Sequence, residues 1–157
     1  MNVIACAIDR ETAASARYEE LAADAPRTEL HELFTLLAAA EREHLQRLFA
    51  LRKEMERLGA WEVAACPSKV LPGPETLASG TEVRSDGYVE VARAEEESIA
   101  FYERLAARAE NPQLRRLGFE LAAEERRHLQ QIAHIYDFVE GPKTFLAWGE
   151  FANLREF

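Results

Sequence analysis

The chain has 157 residues, enough for one domain with a sizeable core, and 48% of them are apolar. Its formal net charge of −9 argues against nucleic acid or an anionic membrane as a partner. No apolar run approaches the roughly 20 residues that a membrane span needs, and Met1–Arg10 lacks the basic and apolar regions of a signal peptide. We therefore expect a cytoplasmic protein.

The spacing of apolar residues predicts four helices. Apolar side chains recur every three or four residues along four stretches, as in helices with one buried face. Pro26 and Pro112 lie where a first helical turn tolerates proline, and Asn111 is a good N-cap residue. We predict an all-α fold with helices over residues 2–24, 27–58, 86–110 and 112–140.

The segments that follow the second and fourth helices contain helix-breaking residues. Residues 59–85 hold three glycines and three prolines, which predicts a long crossover that allows the second and third helices to run parallel. After Gly141 and Pro142 we expect a short terminal helix that covers one end of the bundle or a neighbouring subunit. Its apolar residues are Phe145, Trp148, Phe151 and Leu154.

The chain, residues 1–157, is expected to be one domain built from two repeated helical hairpins. Residues 11–48 and 95–132 align without gaps at an offset of 84, and eighteen of the 38 aligned positions are identical. Each repeat is long enough for two helices, so we expect a pseudo-twofold axis between the hairpins. The predicted parts are the first hairpin 1–58, the crossover 59–85, the second hairpin 86–140 and the terminal helix 141–157.

A Glu-x-x-His motif occurs once in each repeat, and a lone glutamate precedes each copy by 30 residues. One such motif is weak evidence, because charged helices contain it by chance. Two copies in phase, each with its lone glutamate and all on apolar stripes, are much more specific. The six candidate metal ligands are Glu11, Glu41, His44, Glu95, Glu125 and His128.

The positions of these residues along the helices bring them to one level. Glu11 and Glu41 each lie fifteen residues from the turn near Pro26. Glu95 and Glu125 flank the second turn in the same way. Fifteen residues at about 1.5 Å each place both pairs roughly 22 Å from their turns. Four buried carboxylates need partners, and two divalent cations would balance their charge of −4, so a two-metal site is predicted.

The remaining candidate residues have ordinary interpretations. Cys6 and Cys66 are expected to be free thiols in a reducing cytosol. His31 and His134 fall off the apolar stripes and are expected at the surface. In the acidic run at residues 95–97, only the first glutamate is expected to point inward.

The segments Leu37–His44 and Leu121–His128 resemble the second and fourth helices of the ferritin-like di-iron carboxylate proteins, most closely the rubrerythrin-like branch. Glu11–Tyr18 and Glu95–Tyr102 resemble the first and third. The resemblance implies a ferritin-like four-helix bundle with two metal ions, most simply iron. Manganese also suits oxygen ligands with two imidazoles, and zinc could occupy the site without redox function.

The resemblance also implies a role for each candidate. Each metal would take one terminal glutamate and one histidine, and two glutamates would bridge the metals. The terminal ligands would be Glu11 and Glu95, the bridging ligands Glu41 and Glu125, and the histidine ligands His44 and His128. Tyr18 and Tyr102 could donate hydrogen bonds to a ligand carboxylate of the other hairpin, or be ordinary core tyrosines.

Two departures from the family limit what can be carried over. Full-length rubrerythrins have a rubredoxin domain that binds iron through four cysteines, and two cysteines cannot build it. Any electron donor is therefore expected to be a separate redox protein. Rubrerythrins also have a further glutamate three residues after the lone glutamate of the third helix, where this chain has Ser98. The resemblance therefore does not extend to their redox-linked metal shift.

The leading functional hypothesis is a di-iron oxidoreductase that reduces hydrogen peroxide, or consumes dioxygen. The alternatives are a ferroxidase of the ferritin type, a di-iron substrate hydroxylase, a non-catalytic metal-binding bundle, and a bundle that no longer binds metal. The resemblance further implies a homodimer, with residues 145–157 as a candidate interface.

Overall fold

The computed structural model describes residues 2–60, Cys66 and residues 86–153, except for the side chains of Asp86 and of residues 142–153. The described residues form four helices and no strand. The helices are α1 (Val3–Asp24), α2 (Thr28–Leu58), α3 (Asp86–Arg108) and α4 (Pro112–Asn153). The four predicted core helices are confirmed. Most of the predicted crossover lies outside the described residues.

Local sequence signals explain where the helices begin and end. The side chain of Asn2 caps α1 by accepting a hydrogen bond from the backbone N–H of Ala5, at 2.8 Å. α2 ends at Gly59, whose φ of 65° is left-handed and favours glycine. Asn111 caps α4, because its side-chain oxygen accepts from the backbone N–H of Leu114 at 3.0 Å.

The predicted break at Gly141 and Pro142 is wrong, because α4 continues through both residues to Asn153. Pro142 removes one backbone hydrogen bond from the helix, and this loss does not end it. The apolar side chains that were expected to cover the bundle or a second subunit lie outside the described side chains.

The helices form two antiparallel hairpins, α1–α2 and α3–α4, that pack face to face. Tyr18, late in α1, contacts Glu95, early in α3. Tyr102, late in α3, contacts Glu11, early in α1. α1 and α3 are therefore antiparallel, so α2 and α3 run parallel, as predicted.

Two apolar clusters fill the core, one near each hairpin turn, and they leave a layer between them. The cluster near the α3–α4 turn consists of Val3, Ile4, Cys6, Ala7, Ile8, Leu48, Met55, Phe101, Tyr102, Leu105, Ala109, Leu114, Leu117, Leu121 and Ala122. The cluster near the α1–α2 turn consists of Tyr18, Ala22, Leu30, Leu33, Phe34, Leu37, Ala38, Val91, Ile132 and Tyr136. Burial of these side chains stabilises the bundle. The six candidate ligands occupy the layer between the clusters.

The expectation of two free thiols is wrong, because Cys6 and Cys66 form a disulfide with a Cα–Cα distance of 6.0 Å. Cys6 is buried in the cluster near the α3–α4 turn, whereas Cys66 is exposed. The bond therefore ties the crossover to α1. Among the described helices, none combines the length and the apolar character required to cross a bilayer.

Candidate metal centre

The structure brings all six predicted ligands together at mid-height in the bundle. Each of the four helices contributes at least one of them, and none is more than 7% exposed. They are buried because the apolar clusters above and below exclude water from their layer. The six residues are Glu11 on α1, Glu41 and His44 on α2, Glu95 on α3, and Glu125 and His128 on α4.

These residues form two overlapping groups of four. In each group, one possible ligand atom from every member lies within 4.8 Å of the others. Glu41 and Glu125 belong to both groups. Glu11 and His44 complete the first group, and the second is completed by the repeat-related pair, Glu95 and His128. Each group thus has its own glutamate and histidine, and the two groups share two carboxylates. Two bridged metal ions require this arrangement.

In the first group, the Nδ1 atom of His44 faces three carboxylates. It lies 3.1 Å from Oε2 of Glu41 and 3.3 Å from Oε2 of Glu11. Oε1 of Glu125 also lies 3.3 Å away. One nitrogen and three carboxylate oxygens therefore converge from three helices on a small volume.

The second group repeats this geometry. Nδ1 of His128 lies 3.0 Å from Oε2 of Glu125 and 3.4 Å from Oε1 of Glu41. Oε2 of Glu95 lies at 3.7 Å. The imidazole rings of His44 and His128 are nearly parallel, with centroids 5.5 Å apart and an interplanar angle of 14°. The two halves of the site are therefore close neighbours.

Two tyrosines hold the lone glutamates from the opposite hairpin. The hydroxyl of Tyr18 donates to Oε1 of Glu95, and the hydroxyl of Tyr102 donates to Oε1 of Glu11. These are the cross-hairpin hydrogen bonds that the sequence allowed. Each one fixes one carboxylate oxygen and leaves the other oxygen of the same group directed at the site.

The buried carboxyls on α1 and α3 resist ionisation without a cation. Burial raises the pKa of Glu95 to about 8, and the neighbouring charges of Glu125 and Glu41 add to the effect. Burial likewise raises the pKa of Glu11 well above its ordinary value. Both groups are therefore destabilised as carboxylates in the absence of positive charge.

The histidines and the shared glutamates shift in the opposite sense. Burial lowers the pKa of His128, but Glu125, Glu41 and Glu95 outweigh it and raise this pKa to about 11. The carboxylates around His44 raise its pKa in the same way against burial. Burial raises the pKa of Glu41 and Glu125, but hydrogen bonds to the histidines bring a net lowering. Protons on the imidazoles thus supply positive charge that metal ions would replace.

The donor atoms fit a pair of divalent transition-metal ions. Oε2 of Glu95 is buried and has no hydrogen-bond partner in the described part of the chain. Unpartnered buried oxygens are rare unless an ion satisfies them. A set of carboxylate oxygens with two imidazole nitrogens suits iron or manganese, and two such ions would neutralise four carboxylates.

Glu124 is a carboxylate beside His44 that the sequence pattern did not predict. Nε2 of His44 lies 2.8 Å from Oε2 of Glu124, whose other oxygen accepts from Nη1 of Arg47 at 2.8 Å. Arg47 also donates to Glu120 at 2.7 Å. Such a partner fixes the orientation of the ring. The antiparallel packing of α2 and α4 places His44 opposite Glu124, and this pairing was the signal that could have revealed it.

The residues expected to lie away from the site do so. His31 and His134 are exposed. Nδ1 of His31 lies 2.8 Å from the backbone oxygen of Ala22, near the end of α1. In the acidic run, Glu95 is buried and Glu96 is only partly so.

An all-α bundle with a central cluster of four glutamates and two histidines defines the class of ferritin-like two-metal proteins. The sequence model of the rubrerythrin family matches residues 2–136, and the chain belongs to that family. No curated protein and no solved structure matches the chain.

Proposed function

We propose that the protein is a non-haem di-iron oxidoreductase that reduces hydrogen peroxide, with dioxygen as the alternative oxidant. The observation that carries the proposal is the pair of overlapping ligand groups that share Glu41 and Glu125. Family membership supports the same chemistry. When bound, two ferrous ions would supply the two electrons that convert one peroxide and two protons into two waters.

Different residues of the chain would bind the two ions in different ways. Glu41 and Glu125 would bridge the ions, because each faces both histidine Nδ1 atoms. Glu11 and Glu95 would each bind one ion through the oxygen that the opposing tyrosine leaves free. The apolar clusters on both sides exclude water, which strengthens every charge interaction in the layer.

The experiment that tests the proposal is anaerobic addition of peroxide to the ferrous protein. We expect about two irons per chain, consistent with the two-metal ligand set, and rapid oxidation with two irons oxidised per peroxide. Glu41→Ala should lose both properties, because it removes an oxygen from each ligand group. Glu43→Ala is the matched control, since Glu43 is exposed on the same helix. Wild-type oxidation no faster than that of Glu41→Ala would contradict the proposal.

The same preparation distinguishes an iron store from a redox enzyme. A ferritin-type function requires many irons per chain within a large shell. Loading that stops at two irons per chain would exclude storage, and continued loading in a large assembly would favour it. Redox-silent metal would instead point to a purely structural role.

The remaining partners stay predictions. The electron donor is proposed to be a separate redox protein, and the assembly a homodimer; gel filtration of a chain truncated after Gly141 tests the latter. A cytoplasmic location also stays a prediction. Disulfides are rare in a reducing cytosol, so the Cys6–Cys66 bond weighs against that location. Fractionation of host cells would decide it.

A further inference from the structure

A cleft between α1 and α3 reaches the metal centre from the surface. α1 and α3 approach each other less closely than the helices within each hairpin. The cleft between them has a volume of about 440 Å³, and Tyr18 and Glu95 are among the residues that line it. Glu95 is only 3% exposed, and its Oε2 atom has no hydrogen-bond partner among the described residues. The cleft is therefore lined by a candidate metal ligand, and the unpartnered oxygen of that ligand is buried.

Two polar contacts between α1 and α3 border this cleft. Nη2 of Arg17 lies 2.6 Å from Oε1 of Glu90. About two helical turns away, Nη2 of Arg10 donates to Oγ of Ser98 at 3.3 Å. Between these contacts the lining includes three alanines, which leave space that larger side chains would fill, together with Val91, Glu95 and Glu97. The alanines are Ala13, Ala14 and Ala94.

On the repeat-related side of the same helix pair, the described residues fill the corresponding space. At the offset of 84 residues, Phe101 takes the place of Arg17, and it is buried to 5% exposure. The guanidinium of Arg10 lies over the Phe101 ring, 4.8 Å from its centroid. Cys6 takes the place of Glu90, and its disulfide holds Cys66 on this side. The side of Glu11 and Tyr102 is therefore covered by an aromatic ring, a guanidinium and a disulfide.

We propose that the two metal positions are inequivalent. The position at Glu95 and His128 binds small exogenous ligands that enter through the α1–α3 cleft, and the position at Glu11 and His44 is closed to them. The ligand class is a neutral or singly charged molecule of a few heavy atoms, such as a peroxide or azide. The inference rests on the proposed two-metal site, but it does not depend on the reaction carried out there.

Azide binding to the cobalt(II)-loaded protein tests the proposal, because this probe involves no electron transfer. We expect one azide per chain, seen as a change in the visible cobalt absorption. Ala14→Leu and Ala94→Leu should each slow azide association at least tenfold while two cobalt ions stay bound. The two substitutions lie on different helices, so a folding fault in one leaves the other informative. Melting temperature and cobalt content verify each variant.

Ala39→Leu and Ala123→Leu are the matched controls. Both alanines are exposed, one on α2 and one on α4, and neither lines the cleft. They should bind azide at the wild-type rate. The proposal is overturned if the cleft variants also do so, if two azides bind per chain, or if the wild type binds none.

These outcomes separate the cleft from the proposed reaction. A ferrous protein that ignores peroxide, while its cobalt form binds azide at a cleft-dependent rate, would refute the reaction and retain the cleft. Rapid peroxide reduction, together with an azide association rate that is the same in the cleft variants and the wild type, would support the reaction and refute the cleft.

Discussion

The half of the candidate metal centre at Glu11 and His44 and the half at Glu95 and His128 have the same candidate ligands but different surroundings. In the first half, Glu124 orients the histidine, and its repeat-related position is Ala40, which has no carboxylate. A repeat can therefore preserve its ligands while the residues around them diverge. A symmetric set of candidate ligands therefore does not imply two equivalent metal positions.

The two hairpins also differ in how they pack beside the site. Phe34 on α2 stacks against Tyr18, with ring centroids 6.0 Å apart and an interplanar angle of 18°. The repeat-related residue on α4 is Gly118, where an added Cβ would lie 2.8 Å from Cδ2 of Leu105 and 3.1 Å from the backbone nitrogen of Ala106. The second hairpin is therefore packed more closely at this level, and the first is filled by an aromatic ring.

The largest loss of stability is expected from substitutions at these two packing positions. Phe34→Ala should destabilise the protein by about 3–5 kcal/mol, because it leaves a cavity under Tyr18. Gly118→Ala should destabilise it by about 1–3 kcal/mol, because the new methyl group meets α3. Thermal and denaturant unfolding of the metal-free protein would measure both. Equal losses, or a stabilised Gly118→Ala, would contradict the packing difference between the hairpins.

The next effect comes from the disulfide that covers the closed side. It links residues 60 apart, and the chain-entropy relation gives about 4 kcal/mol for a loop of that length. The double variant Cys6→Ala and Cys66→Ala should therefore unfold at lower denaturant. A reductant should lower the stability of the wild type similarly and leave the double variant unchanged. A reductant effect that persists in the double variant would rule out this origin.

A smaller effect is expected from the carboxylate that supports one histidine. Glu124→Ala should weaken metal binding at the His44 position by about 10–100-fold, because the imidazole loses the partner of its Nε2 atom. The other metal position should keep its affinity. A zinc titration in competition with a chelator would resolve two binding steps. Glu43→Ala serves again as the exposed control, and equal weakening of both steps would show that Glu124 does not distinguish the halves.

The two metal positions should differ least in how their metal affinity depends on pH. A metal ion must displace the proton of Glu95, whose pKa is raised to about 8, and that of His128, whose pKa is raised to about 11. The raised pKa values of Glu11 and His44 predict the same for the other half. Affinity should therefore rise with pH between 6 and 8, by up to about tenfold per pH unit for each proton released. Calorimetry in buffers of different ionisation enthalpy counts those protons, and pH-independent affinity would contradict the prediction.

The parts of the structure that could be predicted depend on local periodicity. The positions of Glu41 and His44 follow from a three-residue step on an apolar stripe, and the repeat then gives their partners. The contact of Tyr18 with Glu95 was also within reach, because both lie on those stripes. The helix bounds, except the end of α4, together with the buried faces and the meeting of the six candidate ligands, follow from this one-dimensional signal.

The parts that could not be predicted depend on contacts across the bundle. Glu124 is one of many charged residues on α4 until the packing places it beside His44. The disulfide joins a helix to a glycine- and proline-rich segment whose path has no periodic signal. Arg17 lines the cleft at the position where the repeat has the buried Phe101, and only the packed helices show the space beside it.

The two repeats, offset by 84 residues, lie within one continuous chain, so a substitution can occur in one repeat without occurring in the other. If two separate copies of one hairpin assembled into the same bundle, twofold symmetry would apply every substitution twice. Both sides of the centre would then carry phenylalanine at the repeat position of Arg17 and Phe101, or both would carry arginine. Covalent fusion removes that constraint, so the position at Glu11 and His44 can be covered while the position at Glu95 and His128 stays open to incoming molecules.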